Sequence, residues 1–203
     1  MLIKPIQASQ KGRVVEVIVR SFLTEPSKLW YFPDEARRER QLRWVTPRMV
    51  NMCFPYGHIY GLREGNQIRA ISIWFPPGSA VSTSALVRNG FLQAPFAVGM
   101  KAMLRMNRIQ NLAAGLVQEH LKDRPHWYLF YLAVDPDFQG RGYGTALLKH
   151  MHVSADAAKV PCHLENFSAK NTEFYGKHGY KLLAERHPAP DCETMRSMVR
   201  EPE

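Results

Sequence analysis

The chain has 203 residues, 45% hydrophobic and 22% charged, which suits one globular domain with a sizeable core and argues against disordered or fibrous classes. The formal net charge is +9, yet the densest basic stretch, Arg37, Arg38, Arg40 and Arg43, is interleaved with Glu35 and Glu39 as on a solvated helix face, without nucleic-acid-binding spacing. Three separated cysteines, no signal-like start and no run of about 18 apolar residues argue against disulfides, export and membrane insertion, so a cytoplasmic protein is expected.

In chain order, Leu2 to Gln7 alternates weakly as a first strand, and Ser9 precedes a capped helix with Val14, Val15, Val17, Ile18 and Phe22 on its apolar face. Thr24 to Pro33 breaks the pattern as a loop carrying Trp30, Tyr31 and Phe32. Asp34 to about Val45 reads as a second helix that Pro47 ends or kinks. His58 to Arg63 and Gln67 to Phe75 form a hairpin around Glu64, Gly65 and Asn66. Residues 79–125 are helical, in two or three helices inserted before the second half. Trp127 to Val134 is then a strand, Gly142 to Lys159 a helix, Pro161 to Asn166 a strand, and Ala169 to His178 a helix stopped by Gly179. Tyr180 to Ala184 and Thr194 to Arg200 complete the strands. The alternation predicts a mixed α/β sheet in one domain over residues 1–203. His150 and His152 are expected at the surface, with no metal site.

The segment from Gln139 to Ala146 leaves a strand and enters a helix through Gly140, Gly142 and Gly144. Glycines let a backbone approach a phosphate, the helix start offers free N–H groups, and Arg141 adds charge. A P-loop requires G-x-x-x-x-G-K-S/T, and the lysine is missing. A dinucleotide turn requires G-x-G-x-x-G, where this chain has Thr145 or Leu147 at the last position. A turn that only packs helix on strand is the bland alternative.

These residues resemble the GNAT acetyltransferase superfamily. Gln139, Gly142 and Gly144 satisfy its Q/R-x-x-G-x-G/A signature, Leu132-Ala133-Val134-Asp135-Pro136 is similar to its strand end, and Asn171, Phe174, Tyr175, Gly179 and Tyr180 are similar to its downstream segment. Ile71-Ser72-Ile73-Trp74 with Pro76, and Leu164-Glu165, resemble a puromycin N-acetyltransferase-like group. Asn166 and Phe167 depart from that group's small hydroxyl residues. The resemblance implies a mostly antiparallel central sheet with helices on both faces and a V-shaped splay between strands 4 and 5.

It also implies acetyl-CoA as co-substrate and a primary amine of a small molecule or peptide as acceptor. Leu132 and Val134 would offer backbone groups to the pantetheine and thioester, with the Val134 N–H as oxyanion donor. Gln139, Gly140, Arg141, Gly142, Tyr143, Gly144 and Thr145 would hold the pyrophosphate, and Asn171 would touch the cofactor. Tyr175, with an ordinary phenol pKa near 10, would protonate the leaving thiolate. Glu165 is the candidate base, while His163 is expected to face away from it. Trp30, Tyr31 and Asn166 are candidate acceptor contacts, with at least two of the aromatics Trp30, Tyr31 and Phe32 expected in the core, and Glu25 or Asp34 is offered to a substrate ammonium. A catalytically idle acyl-CoA-binding module and a basic nucleic-acid-binding protein are the competing classes. A monomer or homodimer is expected.

Overall fold

The computed structural model describes residues 2–79, 83–122 and 124–203. Within the expected helical stretch, Ala80, Val81, Ser82 and Asp123 lie outside the described residues, as does Met1. The strands are β1 (Leu2–Pro5), β2 (Ile59–Glu64), β3 (Gln67–Phe75), β4 (Trp127–Val134), β5 (Cys162–Asn166), β6 (Lys181–Arg186) and β7 (Met195–Arg200). The helices are α1 (Lys11–Phe22), α2 (Pro26–Tyr31), α3 (Glu35–Cys53), α4 (Thr83–Arg88), α5 (Ala94–Ala97), α6 (Met100–His120), α7 (Tyr143–Ala157) and α8 (Ala169–Gly176).

The strands form one seven-stranded sheet in the order β1-β2-β3-β4-β5-β7-β6. Every neighbouring pair is antiparallel except β4 and β5. Those two pair only through Trp127 with Cys162 and Tyr128 with His163, although β4 continues to Val134. The rest of β4 diverges from β5, which is the V-shaped splay the resemblance implies.

Strand alternation divides the core between the two faces of the sheet. Ile71, Ile73 and Phe75 of β3 pack with Val14, Val17 and Ile18 of α1 and with Val50 of α3. Trp74, Leu129 and Leu164 pack on the opposite face with Leu148, Met151 and Ala155 of α7, joined by Tyr175 of α8. Helix α6 lies over α2 and the far strands, where Ile109, Ala113 and Leu116 meet Trp30, Phe167 and Met195.

Four local expectations change. Residues 24–33 are not a plain loop, because Pro26 opens α2 and the Glu25 side chain accepts from the Lys28 N–H at 3.3 Å as its cap. Pro47 lies inside α3, which runs on to Cys53 under the burial of Val45, Thr46 and Val50, so tertiary packing outweighs the proline's local penalty. Ser9 belongs to a short 3-10 turn instead of capping α1. His152 is buried, with its Nε2 3.2 Å from the Tyr180 hydroxyl, because that side of α7 faces the sheet.

The basic helix face is as expected: Arg43 pairs with Glu39 and Glu16 at 2.8 Å each. Cys53, Cys162 and Cys192 are free and buried. Among the described residues, no helix is long and apolar enough to cross a membrane.

Candidate active site

The site starts from the strand geometry of β4. Tyr131 opposes Ile73 and Leu129 opposes Trp74, so Phe130 is the extra residue of a β-bulge. The bulge breaks the alternation: Tyr128, Phe130 and Tyr131 pack toward α1 and α3, whereas Leu129 and Leu132 pack toward α7. Three aromatic side chains are thereby gathered on one face beside the splay.

Beyond the bulge, the Asp135 N–H donates to the Arg69 carbonyl at 2.8 Å. Alternation along an antiparallel pair then turns the backbone groups of Leu132 and Val134 away from β3, toward the gap. The Val134 carbonyl is already engaged, 2.7 Å from the Ser21 hydroxyl and 3.3 Å from Gln139 Nε2. Its N–H is the group left for a ligand.

A cavity of about 170 Å³ opens at this gap. It brings together Leu132, Glu165, Asn171, Tyr175, Tyr31 and Asn166, drawn from both faces of the sheet. Tyr175 and Asn171 reach it from α8 because β4 and β5 have parted. Trp30 is not among the lining residues; it is buried against α6, with the Arg105 guanidinium 5.1 Å from its ring. Phe32 is core, at 1% exposure, and also forms part of the cavity wall. Asn166 lines the cavity with a committed amide, whose Oδ1 accepts from the Ser168 N–H at 3.2 Å and the Thr172 hydroxyl at 3.0 Å. It therefore holds the start of α8.

Glu165 is the electrostatic centre, its side chain only 7% exposed. Burial pushes its pKa up to about 7, against a smaller downward pull from the Tyr128 hydroxyl bonded to it. His163, two residues away, shares its face of β5 and approaches to 3.7 Å, which corrects the expectation that it faces away. Burial, with a lesser contribution from His126, pushes His163 down to about 3, so the approach is not an ion pair. Its Nε2 is bonded to the Ser197 hydroxyl at 2.8 Å. Burial raises Tyr175 above the ordinary phenol value, which corrects the expectation of about 10 and keeps the hydroxyl protonated.

A second carboxylate, Glu25, also lines the cavity. It is held by the Ser27 hydroxyl and lies 3.5 Å from Lys28 Nζ, so its charge is already balanced. Asp34, at the N-cap of α3, does not line the cavity.

The glycine turn lies at the C-terminal end of β4. Gly140 and Gly142 hold φ of +77° and +76°, and a Cβ at either would meet nothing within 4 Å. The conformation, not crowding by protein, demands glycine there, and the space before the turn is open. The first bond of α7 runs from the Ala146 N–H to the Gly142 carbonyl, leaving the N–H groups of Tyr143, Gly144 and Thr145 without helical partners. A Cβ on Gly144 would sit 3.4 Å from Phe174, so this glycine lets α8 close on α7.

The side chains divide differently. Arg141 is exposed, with its guanidinium 4.8 Å from the Phe138 ring. Tyr143 is buried and donates to Glu64 at 3.0 Å, so only its N–H faces the turn. The Thr145 hydroxyl bonds His178 at 3.0 Å. The exposed Gln139 donates from its Nε2 to the Val134 carbonyl at 3.3 Å and braces the turn.

Two contributors escaped the sequence reading. Tyr128 was legible only as a bulky strand residue, although a phenol in an apolar run signals a polar partner. Asp135 was read as part of the strand end; it is fully buried, 2.6 Å from Arg13 and 2.8 Å from Arg20, and ties α1 to the end of β4.

Residues 105–182 match the family profile described as the acetyltransferase (GNAT) domain. A Schizosaccharomyces pombe protein named as an uncharacterized N-acetyltransferase is 24% identical, over all of this chain and 84% of its own length. A Corynebacterium glutamicum structure described as a histone acetyltransferase and related acetyltransferase superposes with a TM-score of 0.75, at 21% identity, covering 99% of this chain and 96% of its own. An arylalkylamine N-acetyltransferase from Aedes aegypti superposes with a TM-score of 0.69, at 12% identity, covering 100% and 99%.

Proposed function

We propose that this chain, which carries an acetyltransferase domain of the GNAT family, transfers an acetyl group from acetyl-CoA to a primary amine of a small molecule or peptide. Residues 1–203 are read as one such domain, with α4 to α6 inserted between β3 and β4. The observation that carries the reading is the shared cavity: a carboxylate poised near neutrality, a protonated phenol and a free strand edge meet where β4 leaves β5.

The residues present fit a pyrophosphate-bearing thioester. Gly140 and Gly142 leave the space before the turn open, the N–H groups of residues 143–145 point there, and the exposed Arg141, 3.9 Å from Glu64, lies beside it to add charge. Leu132 and Val134 offer the strand edge, and Asn171 lies across the gap. When bound, acetyl-CoA supplies the activated acetyl group, whose C–S bond is exchanged for a C–N bond to give the amide and the free thiol.

The chain's own groups manage the protons. Glu165 accepts the proton shed by the acceptor nitrogen, with Tyr128 holding the carboxylate in place. Tyr175 supplies the proton taken by the departing sulfur. The Val134 N–H faces the position where negative charge grows on the acetyl oxygen.

The test is a panel of arylalkylamines, polyamines and peptide N-termini incubated with acetyl-CoA, with thiol release as readout and acetyl-CoA binding measured by calorimetry. Thiol release that requires an amine is expected. Binding without transfer to any amine would turn the reading to an idle acyl-CoA-binding module.

A further inference from the structure

A second, larger cavity deepens the acetyltransferase reading and rests on it. It has a volume of about 740 Å³, within the range of small-molecule sites, and lies between the end of β3, α6 and β4. It meets the inner cavity at Glu165, Tyr128, Phe130, Gln110 and Ala113, which line both. An acceptor entering here reaches the reacting centre from the side opposite the glycine turn.

The floor of this chamber is aromatic. Phe75, Tyr128 and Phe130 touch one another, with centroids 6.3 Å apart for Phe75 and Tyr128, 5.3 Å for Phe75 and Phe130, and 6.2 Å for Tyr128 and Phe130. Ala114 and Val117 of α6 form the opposite wall. Charge is unevenly placed. Among the described residues, Glu165 is the one carboxylate that lines the chamber, whereas Lys122 and Arg124 also line it. The Arg124 guanidinium is held by both carboxylate oxygens of Glu201.

One cation therefore has a partner, at the inner end, while a second would find no carboxylate among the described lining residues and would meet Lys122, the charge of Arg124 being already balanced by Glu201. A slender polyamine would also leave the aromatic floor uncovered. We propose that this chamber selects a primary monoamine joined by a short linker to an aromatic ring or an equally bulky apolar body. The nitrogen sits at Glu165, and the body lies against Phe75, Tyr128 and Phe130.

The test is calorimetric titration of 2-phenylethylamine, n-propylamine and spermidine into the protein, alongside acetyl-CoA titration. At least tenfold tighter binding of 2-phenylethylamine than of the other two is expected. Ala114→Trp adds a ring at an exposed helical position that lines the chamber. It should weaken 2-phenylethylamine at least tenfold with acetyl-CoA affinity changed less than twofold. Val117→Phe is a second variant of the same kind. Spermidine binding as tightly as 2-phenylethylamine, or aromatic-amine binding unchanged in both variants, overturns the proposal; thiol release with another amine would then leave the acetyltransferase reading standing. Loss of acetyl-CoA binding in an otherwise intact wild-type protein that still selects 2-phenylethylamine overturns the acetyltransferase reading and retains the chamber's selectivity.

Discussion

At the scale of single residues, burial sets the chemistry of the two groups assigned to proton transfer. Desolvation lifts Glu165 to about 7, where a carboxylate is half protonated at neutral pH and serves as a base once it ionises. Activity under saturating acetyl-CoA should therefore rise as pH increases through about 7. Glu165→Gln should erase that limb and lower kcat/KM by roughly 10²- to 10⁴-fold; an unchanged profile would move the base elsewhere. Tyr175 is held neutral by the same desolvation. Tyr175→Phe is expected to lower kcat by at least about tenfold with acetyl-CoA affinity nearly constant, which stopped-flow turnover and calorimetry separate. Equal losses in both would make Tyr175 a packing residue of its cluster with Phe174 and Tyr180.

At the scale of elements, the glycine turn and the strand ends are built by different forces. Gly142→Asp places charge and a side chain at a positive φ facing open space, so it should weaken acetyl-CoA by more than about tenfold. Gly144→Glu should do likewise and also destabilise the fold, since its Cβ meets Phe174. Calorimetry showing unchanged affinity in both variants would remove the turn from the cofactor site. Asp135 joins α1 to the end of β4 through Arg13 and Arg20, each about one-third exposed. Urea unfolding of Asp135→Asn should show a loss of about 2–3 kcal/mol, below the range for a wholly buried pair because water screens both arginines. The length of α3 was not legible around Pro47, because what carries the helix through it is burial of Val45, Thr46 and Val50.

At the scale of the molecule, buried titratable groups shape stability against pH. His152 and His163 are pushed down to about 4 and about 3, so their folded forms bind fewer protons than the unfolded chain below about 6.5. Their contribution is complete above that pH and is lost progressively toward pH 3. Glu165 acts oppositely: its contribution is complete below about 4.5 and is lost as pH rises to about 7. Between about 4.5 and 6.5 the two histidines outweigh the one carboxylate, so the melting temperature should rise with pH, and scanning calorimetry across that range checks it. His163→Phe should flatten the slope. By itself the sequence determined the strand-helix order and the glycine turn, because period and turn chemistry are local properties, whereas Glu165, Asn171 and Tyr175 entered through resemblance to a family. Only the tertiary structure decided that Trp30 is buried against α6, that the Asn166 amide is committed to the start of α8 while lining the cavity, and that Tyr128 supports the carboxylate. Those depend on which elements meet in space, α2 against α6, β5 against the start of α8, and β4 beside β5, which no spacing along the chain records.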